Sequence, residues 1–122
     1  TDSRQKLLTA LGAEDARARR IAVATLGLSA DRGFALQVLT DAFADASGLV
    51  RRTVIDVAVD LEDEAARPLL AEALADSDAW IRWKAVKGLA DLGLNESREA
   101  VESLAADSDF QVRFEVAAAL RP

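Results

Sequence analysis

The chain is 122 residues long, 51% hydrophobic, carries a formal net charge of −6, and contains no Cys, His, Met or Tyr. Without Cys there is no disulfide framework or thiolate chemistry, and without His or Cys the usual zinc ligands are missing, so no metal, cofactor or catalytic site is expected. The acidic balance opposes a phosphate backbone, no apolar run nears membrane-spanning length, and no signal-peptide pattern opens the chain, which together fit a soluble cytoplasmic protein. The sequence starts at Thr1, as a processed chain or a piece of a larger one would.

Ala and Leu dominate the apolar residues, both favour helix, and only two prolines interrupt. Apolar stripes at helical spacing predict helix pairs at 3–11 with 16–28, 32–44 with 48–60, 63–75 with 79–92, and 96–105 with 110–121. The third pair is the clearest: Ala66, Leu69, Leu70, Ala73 and Leu74 line its first helix, and Ile81, Ala85, Val86, Leu89 and Leu92 its second. Between them Asp76, Ser77 and Asp78 break the pattern and supply N-cap oxygens, and Gly93 closes the second helix.

Arg20, Arg51, Arg82 and Arg113 stand 31 residues apart, and an acidic residue precedes each by six positions: Glu14, Asp45, Asp76 and Asp107. Leu7, Leu8, Val38, Leu39, Leu69, Leu70, Ala100 and Val101 occupy equivalent first-helix positions, and Val23, Val54, Ala85 and Val116 an equivalent second-helix position. A period of this length predicts four repeats, near 1–30, 31–61, 62–93 and 94–122, in one domain over 1–122 whose stacking buries faces that a lone repeat exposes. The repeated arginines are read as structural: a guanidinium can bridge a carboxylate and loop carbonyls and so tie repeats together. Asp78 and Asp109, with Ser47, are read as helix caps.

The Asp-Ser-Asp loops at 76–78 and 107–109, the Val/Ile-Arg pairs at 50–51, 81–82 and 112–113, and Pro68 within a first helix resemble the HEAT-repeat family, in the short form called PBS-lyase HEAT-like repeats. The resemblance covers essentially the whole chain. It implies an all-α fold, an α-α superhelix (α-solenoid, armadillo-like) of four two-helix repeats, with a kink in the first helix and a concave ligand face lined by second helices. The first repeat departs from the pattern, with Arg19 before Arg20 and a Glu14-Asp15-Ala16 loop, and reads as a capping repeat.

Residues that vary while the scaffold repeats are the functional candidates. With Ile81 at the centre of a buried face, Trp80, Trp83, Lys84 and Lys87 fall on the opposite arc at 100° per residue. A shift of 31 takes Trp83 to Phe114 and Lys84 to Glu115, and Phe110 matches Ala79; a shift backwards gives Leu49 and Arg52. Leu49, Arg52, Trp80, Trp83, Lys84, Lys87, Phe110, Phe114 and Glu115 are therefore expected on one surface, which holds four of the six aromatics and two of the three lysines. Such a patch suits a protein or peptide partner, and the lysines favour an acidic one. Inter-repeat packing would explain the same residues as mere cover, either between adjacent second helices or against a neighbouring repeat missing from the sequence.

The reading that follows is a non-catalytic protein-interaction scaffold, a monomer or a chain that associates weakly with itself through repeat ends. Ser29, Ser77 and Ser108 have no histidine to activate them, and the glycines are scattered singly. Two alternatives follow from the resemblance. One is a nucleic-acid-binding or DNA-repair protein, echoed by Arg52, Trp80, Trp83 and Lys84 but opposed by the charge. The other is a chromophore-lyase-like subunit whose aromatic concavity would hold a tetrapyrrole.

Overall fold

The structure, a computed structural model, describes residues 2–122. Among these residues all regular structure is helical. Eight α-helices follow in order: α1 (Asp2–Leu11), α2 (Ala16–Thr25), α3 (Arg32–Ala42), α4 (Gly48–Asp60), α5 (Arg67–Ala73), α6 (Ala79–Leu92), α7 (Arg98–Glu102) and α8 (Phe110–Ala119). Short 3-10 turns extend α2 (Leu26–Leu28) and precede α5 (Glu64–Ala66) and α7 (Asn95–Ser97). The chain divides into two compact units, one ending at Asp60 and the other running from Leu61 to Pro122. Each holds two helix pairs, the number expected from the sequence.

Aspartates set the helix starts. The side chains of Asp15, Asp31 and Asp78 accept from the backbone N–H of Arg17, Phe34 and Trp80, and Asp109 accepts from Gln111 and Val112. Each cap is worth about 1 kcal/mol. Gly93 ends α6 at φ +90, a left-handed value that a side chain would strain.

In the first unit α2 packs on α1 and α4, and α4 on α3. Val23, Leu26, Leu39, Val54 and Ile55 are almost wholly buried there. In the second unit α6 packs on α5 and α8, and Leu70, Ile81, Ala85, Val86, Leu89, Val101, Val112 and Val116 are buried. The stripe read from the sequence is therefore the core face of α6, with Leu92 at its partly exposed edge. Burying one such Leu, Ile or Val side chain contributes about 2 kcal/mol.

Two expectations need correction. Pro68 lies in the first turn of α5, after the 3-10 turn, where its missing N–H costs nothing. The same break before α7 occurs without any proline, so a proline is not required for it. The second correction concerns the first repeat. The structural counterpart of Arg51, Arg82 and Arg113 is Arg19, not Arg20. Arg19 Nη1 donates to the carbonyl six residues back, Ala13, just as Arg51 donates to Asp45, Arg82 to Asp76 and Arg113 to Asp107. The first spacing is thus 32 residues, and the N-cap position shifts with it, from Asp15 to Ser47 and then to Asp78 and Asp109. Ala22, rather than Val23, is then the equivalent of Val54, Ala85 and Val116.

Candidate interaction face

Of the arginines on the 31-residue ladder, Arg82 makes the bridge the sequence implied, and Arg51 and Arg113 donate to loop carbonyls. Arg82 Nε and Nη2 donate to the two oxygens of Asp107 at 2.9 and 3.0 Å, while Nη1 donates to the Asp76 carbonyl at 2.9 Å. In the first unit Arg19 makes the same fork onto Asp45 at 2.8 and 3.2 Å and reaches the Ala13 and Glu14 carbonyls. Asp45 and Asp107 also accept the backbone N–H of Ser47 and Asp109, which fixes the loop ahead of the next helix. The guanidinium fork is the main cause that holds each carboxyl below the ordinary carboxylate range, against the opposing effect of burial. Each arginine is raised in turn by its aspartate.

Arg67 is a scaffold residue that the sequence reading did not single out. It is 6% exposed and donates to both oxygens of Glu64, to the carbonyls of Gly93 and Leu94 and to Ser97 Oγ. Glu96 lies 3.0 Å from its Nε. The signal was present: Arg67 interrupts the apolar run between Ala66 and Leu69, and the residue 31 positions earlier is Leu36. A charge at a core position predicts an opposite charge and hydrogen-bond partners around it.

What α6 and α8 present beside this lock is different in kind. Trp80 and Trp83 are partly buried, with ring centroids 6.0 Å apart. The Trp83 indole N–H donates to Glu115 Oε1 at 2.9 Å, which ties α6 to α8 through two of the predicted site residues. Lys84 Nζ lies 5.9 Å from the Trp83 ring centroid. Phe110 and Phe114 are 68% and 62% exposed, with ring centroids 6.3 Å apart. Trp83, Phe110, Gln111, Phe114 and Glu115 line one open concavity of about 340 Å³. Lys87 is exposed one turn beyond Trp83.

Seven of the nine predicted residues thus lie on α6 and α8 of the second unit. Leu49, 46% exposed, and Arg52, also exposed, are on α4 of the first. Gln111 was missed, although it stands 31 residues after Trp80. Arg113 was read as scaffold alone, yet its guanidinium also lies 5.9 Å from the Phe110 ring centroid. Among the described residues no group of three or more His, Cys, Asp or Glu is arranged to hold a metal ion, and no helix is long and apolar enough to cross a membrane.

Residues 36–121 match the family model of HEAT repeats. Among solved structures the chain is similar to an engineered protein whose crystal structure came from a structural genomics consortium, with 17% sequence identity and a TM-score of 0.68. That likeness covers 94% of this chain and 60% of the other, so the chain spans less than two thirds of its length, and at this identity it shows the fold alone. No curated protein matches. The family match takes in well over half of the residues: the chain belongs to the HEAT-repeat family, of the α-solenoid fold class. HEAT repeats are generally protein-interaction scaffolds and generally non-catalytic.

Proposed function

We propose that this HEAT-repeat chain is a non-catalytic scaffold that binds a peptide or partner domain through the aromatic face of α6 and α8. Trp80, Trp83, Phe110 and Phe114 form the centre of that face, and Lys84 and Lys87 its basic rim. The observation that carries the reading is the exposure of Phe110 and Phe114, 68% and 62%, beside two tryptophans on the neighbouring helix. Exposing this much aromatic surface gains nothing in folding, whereas aromatic anchors in a partly enclosed site dominate interface energies.

Within these repeats, inter-repeat packing covers part of the indole surface, whereas the Phe110 and Phe114 rings are mostly in solvent. Two of the chain's three lysines flank Trp83 in a protein of net charge −6, which concentrates positive potential locally and favours an acidic partner segment. The charge-rich composition suits a cytoplasmic setting.

The test is affinity capture with the intact chain, with captured proteins identified and their affinities then measured directly. A partner that binds wild type and is lost with both Trp83→Ala and Phe114→Ala supports the reading. Partners retained equally by both variants would place binding elsewhere.

A further inference from the structure

We infer that the concavity on α6 and α8 receives a cationic side chain, an arginine or lysine, of the bound partner. The inference rests on the interaction-face reading and specifies its chemistry. Three aromatic residues, Trp83, Phe110 and Phe114, line a space of about 340 Å³ together with Gln111 and the carboxylate of Glu115. That volume admits one long side chain. Aromatic faces present negative potential, and a cation within about 6 Å of a ring centroid is attracted to it. The molecule already uses this chemistry at both edges of the site: Lys84 Nζ and the Arg113 guanidinium each lie 5.9 Å from a lining ring, Trp83 and Phe110.

Glu115 supplies the second element. Its Oε1 accepts the Trp83 indole N–H at 2.9 Å, which fixes the carboxylate against the aromatic wall. One oxygen thereby orients the group, and the other is left to accept from a guanidinium or ammonium. A purely apolar anchor would gain nothing from this carboxylate and would desolvate it at a cost. An acidic anchor would meet it as a like charge. Lys84 and Lys87 lie outside the concavity's lining, so acidic residues flanking the anchor would meet them rather than Glu115. The geometry points to a basic residue within an otherwise acidic segment.

The Trp83 indole N–H signal is a built-in reporter, because it is bonded to the group in question. The experiment follows both indole signals of the intact ¹⁵N-labelled chain, assigned with Trp80→Phe. The chain is titrated at constant ionic strength with N-acetyl-arginine amide, its neutral isostere N-acetyl-citrulline amide, and N-acetyl-glutamate amide. The arginine probe is expected to move the Trp83 signal with an affinity roughly three- to tenfold above the citrulline probe. Glu115→Gln, which keeps an oxygen for the indole but removes the charge, is expected to erase most of that preference, and Phe114→Ala to weaken the arginine probe. Equal response to arginine and citrulline, stronger response to glutamate, or a stationary Trp83 signal with every probe would overturn the cationic anchor. The interaction face itself is judged separately, by loss of partner capture in Trp83→Ala.

Discussion

Arg19 in the first unit and Arg82 in the second act in the same way. Each forks onto an aspartate of the next loop, Asp45 or Asp107, and caps the carbonyl six residues behind it. Around these equivalent locks the surfaces differ. With the cap aspartates Asp15 and Asp78 in register, the positions of Trp80, Trp83, Lys84 and Lys87 correspond to Arg17, Arg20, Ile21 and Ala24. The first unit is therefore cationic and aliphatic where the second is aromatic. Interactions that recur in both units belong to the scaffold, and an exposed surface that only one unit has is the place to look for function.

Arg67 sharpens the comparison most. In that same register its counterpart in the first unit is Arg4, which donates to Asp31, while the position one repeat earlier is Leu36, which is buried. Arg67→Leu copies the residue one repeat earlier but strands the carbonyls of Gly93 and Leu94 and the hydroxyl of Ser97. Chemical denaturation should show a loss of about 4 kcal/mol from these stranded acceptors. A neutral result would mean the two positions are interchangeable and the network contributes little.

Next in size is the lock itself. Arg82→Ala should cost about 3 kcal/mol, because Asp107 loses both guanidinium donors and the Asp76 carbonyl loses the third. Trp83→Ala, which removes a partly buried side chain, should cost about half as much. Thermal melts compare them directly. Equal or reversed losses would mean that scaffold and surface have been exchanged.

On binding the ranking reverses. Truncating Trp83 or Phe114 should weaken a captured partner by about 2 kcal/mol, mainly through faster dissociation in a surface-plasmon experiment. Smaller still, Lys84→Glu or Lys87→Glu should slow association and flatten its salt dependence while dissociation changes little.

Acid should affect both units alike. Asp45 and Asp107 are held below the ordinary carboxylate range by Arg19 and Arg82. A depressed folded-state value means that their contribution is present above the unfolded value, near pH 4, and is lost as pH falls through the folded one. The stability gap between wild type and Asp107→Asn should accordingly narrow in unfolding curves taken from about pH 4 toward pH 2. A gap that stays constant would show that the carboxylate's charge is not what the lock uses.

The helix pairs and the repeat were legible because apolar spacing and cap aspartates are local signals. Observed starts such as Ala16, Arg32, Gly48, Ala79 and Phe110 fall within a residue of those read from the stripes. The first repeat misled because its extra residue put Arg20, rather than Arg19, on the 31-residue ladder, and only the bond to the Ala13 carbonyl identifies the true member. Trp83, Phe114 and Glu115 could be brought together by adding one period, since they sit on successive second helices. Arg67 escaped because, Glu64 apart, its partners come from a loop 26 to 30 residues away, a relation that helical periodicity does not encode. Exposure was equally beyond spacing: the aromatic arc read as outward proved to be two partly buried tryptophans beside two exposed phenylalanines.

The most direct test sets adjacent residues on α6 against each other. Arg82→Ala and Trp83→Ala are each melted and each assayed for partner binding at a temperature where both are folded. The account predicts that Arg82→Ala melts lower yet binds as wild type does, while Trp83→Ala melts closer to wild type and loses binding. Parallel loss of stability and binding in both variants would contradict it, because the aromatic face would then be one more part of the scaffold.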